Sequence, residues 1–326
     1  MNISYQFYHE ATLPDLQRLW AESTDWGEHT LRNLHEWFMA APCGKPRILV
    51  AVDEDTDEIV GQFRFMPSIV SVNGREVRAV RPFGTIVSKK MRDAIRSPNQ
   101  SEQPAIAMYL RGVKELQAMG ERLIYMVPDP RWVRMFELTP FFQCGSFPLW
   151  SLPLPLPAPM PLGEGYTASR LVSWDERVDR LWEKCAQLHG CLVVRNARTL
   201  SWKIANAKYE VTTVERDGEL VGLAASRAKG DRQWLICDML FADTGDDLRA
   251  TLAAAANVAH EQALEANADK PIIKVSVLVT PNMETVAASL NFKRDAYDFP
   301  IVVHTLDSSI SLGDVAPSQW YVSAND

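Results

Sequence analysis

The sequence has no long apolar run. No stretch of about 18 or more apolar residues occurs among its 326 residues, so no transmembrane helix is expected. Its opening, "MNISYQFYHE", lacks a basic flank followed by an apolar stretch, so no secretory signal is expected there. Cysteine is sparse and odd in number: Cys43, Cys144, Cys185, Cys191 and Cys237 are scattered, which suits a reducing cytoplasm and excludes a disulfide framework. No GxGxxG, GxxxxGK(S/T) or GxSxG run is present, so neither a nucleotide-binding loop of those kinds nor a serine hydrolase elbow is proposed. HExxH is missing too: His35 and His260 each precede a glutamate, but no histidine follows four residues on. Cys185, His189 and Cys191 lie close in sequence without further ligands, so helix-end packing is the plainer reading and no metal is expected.

What is there is an apolar content of 47%, enough to bury a core in each half of the chain. The net charge of −7 speaks against a nucleic-acid partner. That charge is uneven. Residues 1–150 hold 17 basic and 18 acidic side chains, the remainder 17 and 23. Seven basic residues fall between Arg75 and Arg96. They read either as charge guarding a solvated strand edge or as a local anion site.

The chain writes one pattern twice. "ILVAVDEDTDEIVGQFRF", from Ile48, and "YEVTTVERDGELVGLAASR", from Tyr209, each place an acidic turn between apolar runs, and Asp217-Gly218 predicts a tight hairpin turn. Around each hairpin the order is the same: strand, helix, helix, hairpin, long strand, helix, strand, helix, strand. Six prolines between Pro148 and Pro161 read as an extended linker whose leucines lie against its own protein. The expected domains are therefore 1–150 and 166–326, joined by a proline-rich linker over 151–165. The fold class is α/β, each domain a mixed, mostly antiparallel sheet flanked by helices.

This order, with the quoted hairpins, "ELQAMGERLIYMVPDPRWVRMFELTPFFQCG" and "VSVLVTPNMETVAASLNF", resembles the GNAT acetyltransferase superfamily over nearly the whole chain. "VVRNARTLSWKIANAKYEV" and the Trp320-Tyr321 pair are similar to two-domain members met among bacteria. The resemblance implies that acetyl-CoA lies between two splayed parallel strands. Its pyrophosphate would sit on backbone N–H groups before a helix, where unpaired donors and the helix dipole favour an anion. An amine or hydroxyl of a small molecule, sugar or peptide would attack the thioester.

Carried onto this chain, the implied cofactor residues are Ile86, Val87, Ser88, Arg92, Arg96, Ser97, Asn99, Gln100, Ser101 and Asp129. The loop "VSKKMRDAIRSPNQSEQPAIAMYL" lacks the usual glycines, so side chains would replace bare backbone as phosphate ligands. In the second half Asp238, Asp243, Asp246 and Asp247 crowd the matching loop. At an effective dielectric of about 20, one like charge about 4 Å away costs on the order of 4 kcal/mol, so that half is expected to be a degenerate copy. The position of the family's acid, a tyrosine, holds Phe136 in one half and Ser289 in the other. Tyr125 and Tyr109 are the spare hydroxyls, and Glu137 is the carboxylate the motif places; Tyr125 and Glu137 are the catalytic candidates. The hairpin acids Asp53, Glu54, Asp55, Asp57 and Glu58 are expected to be solvated. Two alternatives stay open: a degenerate GNAT scaffold that binds a partner or metabolite, and a Fem-type transferase using aminoacyl-tRNA, for which the acidic chain lacks an obvious basic surface.

Overall fold

The computed structural model describes residues 2–8, 13–24, 28–95, 103–130, 139–230, 232–267 and 269–326. The chain divides into two units. Unit 1 comprises Met1–Ile69, Val77–Gln143 and Val302–Ser311; unit 2 comprises Val70–Glu76, Cys144–Ile301 and Leu312–Asp326.

In unit 1, β1 (Ile3–Phe7), β2 (Arg47–Asp53), β3 (Glu58–Val72), β4 (Arg75–Val87) and β5 (Leu123–Met126) lie side by side in that order. The first pairs are antiparallel and β4–β5 is parallel. The far edge of β5 is taken by residues 302–305, antiparallel, with Val303 opposite Tyr125. β2 and β3 are buried on both faces, hence their near-continuous apolar runs. One face carries α4 (Pro104–Ala118), whose Met108, Tyr109, Val113 and Leu116 pack on Leu49, Phe63, Phe65 and Ile124. The other carries α1 (Leu13–Ser23), whose Leu16, Leu19 and Trp20 recur at helical spacing and pack on Ile48, Val50, Ile59 and Ile86. α2 (Glu28–Met39) adds Phe38, fully buried.

Gly112 explains how closely α4 approaches the sheet. A Cβ there would stand 2.4 Å and 2.5 Å from two ring carbons of Phe65, itself fully buried beside Phe63 and Tyr109. Gly112→Ala is expected to lose about 1–3 kcal/mol to overpacking, against about 1 kcal/mol returned by helix propensity. A denaturation midpoint at or above the wild-type value would show that α4 is free to move away.

Unit 2 repeats the scheme. β7 (Tyr166–Arg170), β9 (Glu210–Arg216), β10 (Glu219–Ala228), β11 (Gln233–Phe241) and β12 (Lys274–Leu278) follow one another across its sheet. Here the far edge of the fifth strand is taken by β6 (Phe142–Pro153), antiparallel, with β13 (Lys293–Thr305) beyond it. The sheet is flanked by α5 (Glu176–Ala186), α6 (Ala197–Ile204), α7 (Asp246–Glu265) and α8 (Glu284–Ser289). Asp217 and Gly218, at φ +52° and +83°, make the expected tight turn between β9 and β10. β8 (Cys191–Val193) pairs with residues 70–72 on one side and β14 (Trp320–Tyr321) on the other.

The proline-rich stretch differs from a linker over its first part. Through Pro153 it is strand β6, in register with β12. Beyond it Leu154 and Leu156 are buried, the Leu156 N–H donates to His260 Nδ1 at 3.1 Å, and the Met160 N–H donates to Asn257 Oδ1 at 2.7 Å. The prolines are tolerated because these side-chain acceptors serve the N–H groups between them.

Candidate functional site

The parallel pair of unit 1 opens into a wedge. β4 and β5 are in register only at Ala79–Leu123 and Val80–Ile124, yet β4 continues to Val87. Beyond Val80 no β4 residue is in register with β5, so the β4 edge of residues 82–87 faces the gap. Within that stretch Gly84 takes φ +60°. The left-handed residue acts as a bulge. Phe83 meets Phe38 edge to face, and Ile86 packs with Leu16 and Trp20, so two residues three apart share the α1/α2 face. Regular pleating would put them on opposite faces.

A short chain of hydrogen bonds holds this bulge. The Trp20 indole N–H donates to Gln62 Oε1 at 2.8 Å, and Gln62 Nε2 donates to the Gly84 carbonyl at 2.7 Å. Gln62 is 1% exposed, so the bond to Trp20 forms away from water, and the bond to Gly84 is partly shielded. Helix α1, strand β3 and the open edge of β4 are thereby tied together.

At the end of β4, Ser88 caps α3 (Lys89–Ala94), accepting from the Met91 N–H at 3.1 Å. This helix stands where the sequence suggested only a polar loop. Its basic side chains are engaged. Lys90 reaches Asp53 at 2.8 Å and Glu58 at 2.7 Å, Lys89 pairs with Asp93, and the Arg92 guanidinium donates to the Val87 carbonyl. Arg78, earlier in the strand, pairs with Glu121 at 2.6 Å.

The hairpin acids are accordingly not all solvated. The Asp53 side chain is 3% exposed and also accepts from Thr56 Oγ1 and the Asp55 N–H, which fixes the turn. The Lys90 ammonium bonded to it holds its carboxyl below the usual carboxylate range.

The candidates fall as follows. Ile86, Val87, Ser88 and Arg92 form one run at the end of β4. Tyr125 and Asp129 lie at and beyond the end of β5, and because the two strands are parallel, both groups stand at the same end of the sheet. Tyr125 is 2% exposed, with its hydroxyl 3.0 Å from Ser68 Oγ. Tyr109 lies on the opposite face, its hydroxyl 2.8 Å from His304 Nδ1, and burial raises its pKa strongly. Arg96, Ser97, Asn99, Gln100, Ser101 and Glu137 lie outside the described residues. Sequence reasoning missed Gln62 and Gly84. The signal for them was a glutamine and a glycine inside strands that are otherwise apolar.

Unit 2 also opens a wedge, and fills it. β11 and β12 pair from Gln233–Lys274 to Ile236–Val277, after which β11 continues to Phe241 beside β10 but without β12. Residues 320–326 occupy the gap. The Asn325 N–H donates to the Cys237 carbonyl at 3.0 Å, and the Tyr321 hydroxyl donates to the Met239 carbonyl at 2.8 Å. The Tyr321 ring stacks on His189 at 4.7 Å. His189 Nδ1 lies 3.0 Å from Asn282 Nδ2, and burial, with Arg195 nearby, pushes its pKa down to about 4. Cys185 and Cys191 are buried thiols in the same unit, and burial pushes Cys185 up to about 11.

Beneath the plug lies a buried quartet of charges. Arg195 Nε pairs with Asp238 at 2.8 Å, and its Nη2 pairs with Asp326. Lys203 reaches Asp238 at 3.2 Å and Asp326 at 2.6 Å. Asp238 was expected to repel an anionic cofactor. Two cations neutralise it instead, and what blocks this wedge is the chain itself. Asp247 is tied to Tyr166 at 2.8 Å and Arg216 at 2.9 Å, and burial, its largest influence, raises its pKa to about 6.

Among the described residues no group of three His, Cys, Asp or Glu side chains is arranged to hold a metal, and no helix is long and apolar enough to cross a membrane.

Known structures share this architecture. A GCN5-related N-acetyltransferase from Anabaena variabilis aligns over 94% of this chain and 73% of its own, with TM-score 0.67 and 11% identity. Saccharomyces cerevisiae N-myristoyltransferase with bound myristoyl-CoA aligns over 94% and 79%, with TM-score 0.60 and 11% identity. A tandem GNAT protein from the clavulanic acid biosynthesis pathway aligns over 95% and 100%, with TM-score 0.58 and 14% identity. No family model and no curated protein matches the sequence. The chain therefore has the GNAT fold, a mixed α/β architecture of mostly antiparallel sheet flanked by helices.

Proposed function

We infer that the protein is an acyltransferase that takes an acetyl or other acyl group from acyl-CoA in the wedge of unit 1. It passes the group to an amine or hydroxyl of a small molecule, sugar or peptide. The observation that carries this is the contrast between the two wedges. Among the described residues nothing pairs with the β4 edge of one, which is bulged and braced; the other is filled by residues 320–326. N-myristoyltransferase, a structural neighbour, is bound to myristoyl-CoA, which supports a CoA-linked donor here.

In this reading the pantetheine arm runs along the β4 edge beyond Val80, where backbone groups of residues 83–87 not already held by Gln62 or Arg92 pair with its amides. Ser88, Arg92, Arg96, Ser97, Asn99, Gln100 and Ser101 receive the pyrophosphate, which draws Arg92 away from the Val87 carbonyl. Asp129 flanks the arm from β5. Glu137 takes the proton from the attacking amine and Tyr125 returns one to the departing sulfur. The demand on Tyr125 is small, because a thiol of pKa near 8.5 leaves readily. Unit 2 holds no cofactor in this reading.

The test is thiol release from acetyl-CoA against a panel of amines and alcohols, with Arg92→Ala and Arg96→Ala as controls. Each substitution removes one charge-assisted contact and is expected to weaken acetyl-CoA binding about tenfold, since hydrogen bonds to charged groups contribute about 1.5–3 kcal/mol. Unchanged affinity in both variants would move the pyrophosphate elsewhere. No release with any acceptor, together with no acetyl-CoA binding, would leave the degenerate scaffold as the better account.

A further inference from the structure

Arg64 stands in β3 on the face covered by α1 and α2, and the whole residue is 1% exposed. Its surroundings are aromatic. The guanidinium carbon lies 4.6 Å from the Trp20 ring centroid and 4.2 Å from that of Phe38. His35 follows, 6.3 Å from Trp20 and 5.8 Å from Tyr8 between ring centroids. Among the described residues no carboxylate pairs with this cation, and its Nε and Nη2 have no hydrogen-bond partner. Burial pulls its pKa down to about 9, which still leaves it protonated at neutral pH.

A buried guanidinium without an acceptor is among the costliest groups a core can hold. The two aromatic faces attract it but offer no oxygen. The same chain shows what a structural buried arginine looks like: Arg195, equally hidden, has Asp238 on one edge and Asp326 on another. Arg64 has the cost without the compensation. An ion that a fold keeps in this state is matched to a partner that arrives from outside.

The chemistry of that partner follows from which atoms are unsatisfied. Nε–H and Nη2–H are parallel donors on one edge of the guanidinium, spaced for the two oxygens of a carboxylate. Trp20 and Phe38 lie against the cation and supply apolar walls. A monoanion balances the single charge, whereas a phosphate dianion would bring an uncompensated negative charge into an apolar site.

Position also matters. Arg64 is two residues from Gln62 on the same strand, hence on the same face and roughly 7 Å away. The Gln62 amide holds the Gly84 carbonyl at the open edge of β4. A carboxylate seated on Arg64 would leave the amine of a short molecule within reach of that edge.

We propose that Arg64 binds the carboxylate of the acyl acceptor, which makes the acceptor an amine of amino-acid type. This rests on the acyltransferase reading. The amine nitrogen bonds to the thioester carbonyl carbon as the carbon–sulfur bond breaks; the nitrogen loses a proton to base, and CoA leaves as its thiol.

The test uses the full chain, the twenty L-amino acids and their carboxamides. Thermal melting without CoA reads binding, and thiol release from acetyl-CoA reads turnover. The wild type is expected to be stabilised by at least one free acid and to prefer it to its amide by tenfold or more in kcat/KM. Arg64→Met is expected to erase that preference, to keep its acetyl-CoA affinity, and to melt at or above the wild-type temperature, because the unpaired charge is gone. Arg64→Lys, which keeps the charge but loses the fork, should recover only part of the preference. Equal treatment of acids and amides by the wild type would overturn the proposal, as would silence towards every probe. A several-degree drop in melting temperature for Arg64→Met, with the acid preference intact, would assign Arg64 a structural role. Because the melting arm needs no CoA, a failure to bind acetyl-CoA would strike the acyltransferase reading separately.

Discussion

Asp326→Ala is expected to destabilise the protein by about 3–5 kcal/mol, because it strands buried cations without their second counter-ion. Arg195 and Asp326 have fully buried side chains, and Lys203 is 9% exposed, so water cannot take over the lost contacts. The Ser323 N–H and hydroxyl, which donate to the same carboxylate at 2.9 Å and 3.1 Å, lose their acceptor too. With the plug loosened, the Asn325 and Tyr321 bonds to β11 weaken as well. The melting midpoint should fall by on the order of 10 °C for a unit of this size. A fall of less than about 2 °C would show that residues 320–326 are a passive appendage.

The same carboxylate sets a pH dependence. Burial alone would raise the Asp326 pKa, but Arg195 and Lys203 outweigh it and hold the group down to about 2. A carboxyl depressed in the folded state stabilises fully above its unfolded pKa, near 3.9, and that stability is lost as pH falls through the folded value. Unfolding free energy should therefore decline as the pH drops from about 5 towards 2. Asp326→Asn should flatten that decline. An unchanged slope in this variant would place the acid sensitivity in other carboxylates.

The second large effect is expected at Gln62. Gln62→Leu leaves the buried Trp20 N–H without an acceptor and the Gly84 carbonyl without that donor. Each orphaned group costs about 1–3 kcal/mol, so a loss of about 2–6 kcal/mol is expected. The more telling readout is functional. Without its brace, the bulge at Gly84 is free to relax, and the edge of β4 that receives the pantetheine arm changes register. Acetyl-CoA affinity should fall by more than the tenfold expected for Arg92→Ala. Gln62→Glu, which keeps an acceptor for Trp20 but loses the donor to Gly84, should separate the two bonds. Full acetyl-CoA affinity in a folded Gln62→Leu protein would show that the brace serves stability alone.

Local physics was legible in the sequence. The apolar runs of β2–β3 and β9–β10 about their acidic turns, the Asp217-Gly218 turn, the helical spacing of Leu16, Leu19 and Trp20, and Pro104 at the start of α4 all carry their signal within a few residues. Non-local pairings were not. Nothing in "VVHT" says that it will lie beside β5, because strand partnership is set by which edge remains open once the other strands have formed. Proline misled in the same way: Pro153 read as linker, yet it lies in β6.

Charge was the least legible property. A lysine in a basic stretch looks the same whether it awaits a phosphate or, like Lys90, already spans two carboxylates from a hairpin some thirty residues earlier. Asp238 was read as a repulsive charge because Arg195, Lys203 and Asp326 are far from it in sequence. Arg64 drew no notice, being one basic residue in an apolar strand, until its burial and its missing partner became visible.

The most direct measurement is calorimetric titration of the purified full chain with acetyl-CoA, repeated on Gln62→Leu and on Tyr321→Phe. The account predicts one site per chain, weakened by Gln62→Leu in unit 1 and indifferent to Tyr321→Phe in unit 2. Two sites per chain, a site lost with Tyr321→Phe, or no heat at millimolar acetyl-CoA would contradict it.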